Sequence, residues 1–187
     1  MTPGVRHTAA LSTPDGVEVC KIIPNFVFLS KLLNGINMST YTQILYQIVF
    51  GSKDYTPFLS IENKDILFGY IAGVLKNKSC HSYIVGGACN HVHIITHLHP
   101  TIALSFLIKD IKRASHELIF REQSMFHNFP GWQIGFGAFT YHISSKESLI
   151  NYVKNQASHH KTITYKDELI KLLQENFMEY YDDYLLS

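Results

Sequence analysis

Residues 79–98 read SCHSYIVGGACNHVHIITHL, and two short strands can be cut from them. Residues 79–87 and 91–98 carry Tyr, Ile, Val and Thr, with Gly86-Gly87 between them, which predicts a β-hairpin. Strand side chains alternate, so His91, His93 and Ile95 point one way while Val92 and Ile94 point into a helix-covered core. Two imidazoles side by side on a sheet face are a natural platform for a metal ion. Histidines at i, i+2 also occur on solvated strand faces, and the pair alone leaves both readings open. Cys89 joins this face if the strand runs back that far, giving a Cys-x-His-x-His zinc pattern that lacks an evident fourth ligand. His97 and His99 read as surface residues at the strand end.

The sequence on either side supplies the rest of the sheet. Residues 41–50 (YTQILYQIVF) are β-branched and aromatic, a strand. Residues 60–78 space Ile66, Leu67, Tyr70, Ile71, Val74 and Leu75 as one helix face. A second helix, 101–122, starts near Pro100-Thr101 and carries Leu104, Leu107, Ile108, Ile111, Leu118 and Ile119. Residues 135–144 (GFGAFTYHIS) form a strand. Ser144 and Glu147 have the spacing of a capping box opening a helix over 145–160. A last helix over 165–177 precedes an acidic tail, 179–183. This order predicts an α+β fold, a ferredoxin-like antiparallel sheet with helices mainly on one face.

Composition narrows the function classes. The 187 residues amount to one ordinary domain, or a domain plus an extension. Apolar residues make up 46% and charged residues 17%, a globular balance that excludes a disordered chain. Cys20, Cys80 and Cys89 include no C-x-x-C pair, which argues against a disulfide scaffold and for reduced thiols in a cytoplasmic protein. No apolar run reaches the roughly 18–20 residues of a membrane span. The body is mildly basic and the last 24 residues acidic, for a net charge of +1. This permits a nucleic-acid partner without demanding one. Residues 1–37 lack the patterning of the remainder and read as an N-terminal extension ahead of a domain over 38–187. The rival reading is a partner-docking helix at 26–33.

A second constellation lies in LINYVKNQASHH, residues 149–160. Leu149, Ile150, Val153 and Ala157 form the apolar stripe. Tyr152 and Gln156, four apart, stack on its edge, with His159 one turn further. A tyrosine at the margin of a core beside a polar neighbour explains this pair equally well. The order of features is more telling: a His-hydrophobe-His strand, a basic helix, a strand with Gly-x-Gly, then Tyr-x-x-x-Gln on a helix.

In that order the sequence resembles the single-tyrosine HUH transposases of the insertion-sequence 200/605 group and their relatives associated with repetitive extragenic palindromes. The carriers are TYTQILYQIVF (40–50), NHVHIITHLHP (90–100), LIKDIKRAS (107–115), GWQIGFGAFTY (131–141) and LINYVKNQASHH (149–160). Residues 1–37 have no counterpart. The resemblance implies that His91 and His93 bind a divalent ion, Mg2+ or Mn2+, that Gln156 is a further ligand, and that Tyr152 is the nucleophile. It implies a single-stranded DNA substrate with hairpins at the element ends and a 5′-phosphotyrosine intermediate. It also implies a prokaryotic, nucleoid-associated homodimer whose active site is shared between subunits in some members. No nucleotide cofactor is expected, since no G-x-x-x-x-G-K-[ST] loop is present.

Around this core, Lys109, Lys112 and Arg113 are candidate phosphate contacts and Trp132, Phe136 and Phe139 candidate base-stacking groups. For these side chains a solvated helix face and a packed core are the competing readings. His159 is a candidate acceptor for the tyrosine proton, or a helix-end residue beside the last carbonyls. Tyr141 suits packing or DNA contact better than attack. Two alternatives to a mobile-element enzyme follow: a domesticated chromosomal nickase, and a catalytically silent DNA-binding protein on the same fold.

Overall fold

The computed structural model describes residues 41–181 and 185. The extension over 1–37, the candidate helix at 26–33 and most of the acidic tail's end lie outside them. Four strands form one antiparallel sheet: β1 (Leu45–Gly51), β2 (His81–Gly87), β3 (His91–His97) and β4 (Gly137–Tyr141), in the order β2-β3-β1-β4. This is the split arrangement expected of a ferredoxin-like fold, with β3 inserted between β1 and β2. Residues 88–90 lie between β2 and β3, and the two glycines belong to the end of β2. Among the described residues no helix is long and apolar enough to cross a membrane.

Alternation sorts β1 and β3 into two faces. Ile48 and Phe50 of β1, with Val92 and Ile94 of β3, pack under the two longest helices, α1 (Lys64–Asn77) and α2 (Leu104–Arg121). Leu67, Ile71 and Leu75 of α1 are buried, as are Leu107, Ile108, Ile111 and Leu118 of α2, the helical spacing read from the sequence. Burying one such side chain fully is worth about 1.5–3 kcal/mol, so this layer carries most of the fold's apolar stabilisation.

The opposite face is covered as well, by the shorter C-terminal helices α3 (Lys146–Lys154), α4 (Gln156–His159) and α5 (Tyr165–Glu175). Leu149 and Val153 of α3 pack on Leu45 and Ile95, and Leu169, Leu172 and Leu173 of α5 cluster with Val49 and Phe139. The single helix expected over 145–160 is broken at Asn155, whose backbone leaves the helical region (φ −89°, ψ 4°). Ala157 is therefore exposed instead of continuing the buried stripe. The capping box also differs: the Ser144 amide donates to His142 in a preceding 3-10 turn, and Glu147 pairs with Lys146. A hydroxyl cap forms at α5 instead, where Thr164 Oγ1 accepts from the Asp167 amide at 3.2 Å.

Candidate active site

On the second face, buried polar side chains converge between β3 and the C-terminal helices. His91 and His93 are fully buried there, with ring centroids 5.0 Å apart. Their strand neighbours are small. Gly51 pairs with His91 and Gly86 with His93. A Cβ at Gly51 would stand 2.5 Å from the Tyr165 ring, and one at Gly86 would stand 2.6 Å from Val153 Cγ1. These two glycines let α5 and α3 approach the sheet closely enough to cover the histidines. Tyr165 lies flat on His91, with centroids 4.4 Å apart and planes 6° from parallel.

Tyr152, half-buried on α3, stands edge-on to His93 with centroids 5.7 Å apart. Gln156, fully buried, brings its Oε1 to 3.2 Å from His91 Nε2. The Tyr-x-x-x-Gln pair therefore lies beside the two histidines in a single chain. His159 is partly exposed, its ring 5.8 Å from that of Tyr152. Cys89 is exposed in the loop before β3, and the cluster of potential metal ligands does not include it.

The centre of the site is a residue the sequence reading missed. Glu168, on the first turn of α5, is 2% exposed. Its Oε1 accepts from the Tyr152 hydroxyl and from Gln156 Nε2, the latter at 2.7 Å. Its Oε2 lies 3.0 Å from His160 Nε2, 3.3 Å from His93 Nε2 and 3.5 Å from His91 Nε2. The signal was present: Glu168 follows Tyr165 by three and precedes Leu169 and Leu172, so it is a carboxylate set into an apolar stripe. Gln47, buried on β1 with Nε2 3.4 Å from His93 Nδ1, was also missed, as was His160.

Electrostatics follow from burial. Burial, with further contributions from His93 and His160, holds His91 well below the ordinary histidine range, so it is neutral near pH 7. Burial and the bond to Glu168 raise the Tyr152 hydroxyl above the usual phenol value. For Glu168 burial is the largest single influence and works upward, but the His160 and His93 bonds and the imidazole charges outweigh it, leaving a carboxylate.

The candidate DNA contacts lie on α2 and the loop before β4, across the sheet from this cluster. Lys109 and Arg113 are exposed. Lys112 instead donates to the carbonyls of Gln133, Ile134 and Gly135, at 2.8, 3.3 and 2.6 Å. Burial pushes it down to about 8, an effect those three carbonyls oppose by favouring the charged form. Trp132 donates its indole N–H to Ser115 Oγ and packs edge-on against Phe50 and Phe58. Phe139 is buried, and Phe136 is exposed.

A family model described as "Transposase IS200 like" matches residues 40–156, more than half of the chain. The chain belongs to the IS200-like transposase family. The matched residues include His91, His93, Tyr152 and Gln156 and stop short of α5. Among solved structures, a REP-associated tyrosine transposase bound to a REP hairpin is 14% identical, with a TM-score of 0.50 over 67% of this chain and 76% of that one. A candidate transposase from Deinococcus radiodurans R1 is 16% identical, with a TM-score of 0.49 over 64% and 95%. No curated protein sequence matches. The chain therefore shares its α+β fold with the REP-associated tyrosine transposase.

Proposed function

We propose that this transposase cleaves and rejoins single-stranded DNA at hairpin-bearing ends, with Tyr152 as nucleophile and a divalent ion held at His91, His93 and Gln156. The observation that carries the reading is the Tyr152 ring standing edge-on to His93 while Gln156 reaches the neighbouring His91. Family membership supports the transposase activity, and a hairpin is what the REP-associated neighbour holds.

The residues fit a divalent ion. His91 Nδ1 lies 2.9 Å from Asn90 Oδ1, so the ring hydrogen sits on Nδ1 and Nε2 is left as a donor to metal. Gln47 Oε1 is buried with no hydrogen-bond partner, and turning that amide over lets it accept from His93 Nδ1 and frees His93 Nε2 in the same way. When bound, the ion withdraws charge from the scissile phosphate, worth several kcal/mol of transition-state stabilisation.

The remaining chemistry belongs to the chain. The Tyr152 oxygen attacks phosphorus, the bond from phosphorus to the 3′ oxygen breaks, and the phenol proton ends on the released 3′-hydroxyl. The product is a 5′-phosphotyrosine that keeps the phosphodiester energy, so another 3′-hydroxyl can reverse the step without ATP. Exposed Lys109 and Arg113 would meet backbone phosphates, and Phe136 a base. Lys112 and Trp132 act through the loop they hold. Such an enzyme works on DNA in the cytoplasm, at the nucleoid, as a homodimer.

A denaturing gel tests the reading. Single-stranded DNA from the element's ends, incubated with protein and Mg2+ or Mn2+, is expected to give a covalent adduct. The adduct is expected to vanish with Tyr152→Phe, with His91→Ala and with chelator. An adduct that survives Tyr152→Phe moves the nucleophile elsewhere, Tyr141 being the next to replace. Hairpin binding by wild type without any adduct means a silent DNA-binding protein.

A further inference from the structure

We infer that Glu168 and His160, which lie beyond the residues the family model matches, are themselves ligands of the divalent ion, and that Glu168 bridges the ion to Tyr152. This rests on the metal-dependent reading above and adds an anionic ligand to it.

Asn90 Nδ2 donates to the Tyr55 carbonyl at 2.9 Å, which turns Asn90 Oδ1 toward His91 Nδ1. A carbonyl-type oxygen only accepts, so Nδ1 carries a hydrogen and Nε2 is the atom turned toward the site. His160 repeats the arrangement, with Nδ1 2.8 Å from the Ile163 carbonyl oxygen. Gln156 uses its amide N–H on Glu168 Oε1, so Gln156 Oε1 faces His91. Four possible ligand atoms then lie close together: His91 Nε2, His160 Nε2, Gln156 Oε1 and Glu168 Oε2. A divalent ion at that point displaces the imidazole hydrogens that otherwise bond to Glu168 and takes their place.

The spacing says which charge fits. The pairs are 3.0 Å (His160 to Glu168), 3.2 Å (His91 to Gln156) and 3.5 Å (His91 to Glu168). Ligands about 2.1 Å from one ion, at right angles or tetrahedral, stand roughly 3.0–3.4 Å apart. His91, His160 and Glu168 each offer one ligand atom, and the three atoms lie within 4.8 Å of one another. The two carboxylate oxygens divide the work. Oε2 faces His91, His93 and His160, while Oε1 faces the Tyr152 hydroxyl and the Gln156 amide. Glu168 is thus placed to ligate through one oxygen and to position the nucleophile through the other. A set rich in imidazole favours Mn2+ over the harder Mg2+.

The test uses full-length protein stripped of metal and titrated by calorimetry with Mn2+ alone and with Mg2+ alone. Spin-echo spectra of the Mn2+-loaded protein count bound imidazole nitrogens. Glu168→Gln keeps shape and is expected to weaken Mn2+ binding by at least about 10–100-fold, the loss seen when even an outer-shell partner is removed. His160→Ala is expected to lower the nitrogen count by one. If Glu168→Gln does not fold, the His160→Ala count decides. If wild type binds Mn2+ through His91 but Glu168→Gln and His160→Ala match it in affinity and nitrogen count, the inference is overturned and the metal-dependent reading stands. If wild type shows no Mn2+ or Mg2+ binding that His91→Ala removes, both fall together.

Discussion

His91 shows how much one buried side chain can report. Its neutrality in the folded protein comes first from burial, which penalises the imidazolium. An unfolded histidine titrates near 6.5, so below that pH the unfolded chain takes up a proton that the folded His91 refuses. The stability contribution is therefore present above pH 6.5 and lost as pH falls toward the depressed folded value. The metal-free protein is expected to lose up to about 1.4 kcal/mol per pH unit through this group below pH 6.5. Melting temperatures in chelator from pH 7.5 to 5.0 check it. A slope that persists unchanged in His91→Gln would assign the loss to another group.

Elements matter because α3 carries Tyr152 and must lie close to β2. Gly86 is what permits that approach: a Cβ there would meet Val153 Cγ1 at 2.6 Å and the Val153 carbonyl at 3.4 Å. Gly86→Ala is expected to cost about 1–3 kcal/mol by overpacking and to shift Tyr152, one residue from the clash. Val153→Ala in the same chain removes the colliding methyl and is expected to restore most of the adduct yield. Chemical denaturation and the adduct assay, run on both variants, separate the effects. No recovery in the double variant would mean that the helix backbone, not the side chain, sets the spacing. α5 depends on local signals in turn: the Thr164 cap fixes its first turn, and the leucine stripe turns Glu168 inward.

For the whole molecule the question is which chain completes which site. One chain already brings Tyr152 beside its own His93 and Gln156 beside its own His91. Mixing Tyr152→Phe protein with His91→Ala protein is therefore expected to yield no adduct, since every site lacks one partner. Adduct formed only on mixing would instead show that subunits exchange the tyrosine helix. The layer beneath α1 and α2 contributes no catalytic group. It holds β1 and β3 rigid, so that the opposite face can carry polar side chains at the expense of apolar packing.

The sequence alone determined the strands and the long helices, and it singled out His91, His93, Tyr152 and Gln156, which the fold places side by side. Period-two alternation, helical spacing and motif order are local properties, and a chain states them directly. The break at Asn155 was not legible, because apolar spacing runs through it, nor was the capping box, which lost to the His142 turn. The burial of Trp132 and Lys112 could not be read either, since nothing local says that Ser115 and three loop carbonyls will receive them. Glu168 is the clearest case. Its place in the stripe of α5 was visible, but its meaning depended on a distance to β3 that spans 75 residues of sequence. Only tertiary structure decided that a carboxylate, three imidazole neighbours and a phenol share one site, because desolvation and charge pairing act through space and not along the chain.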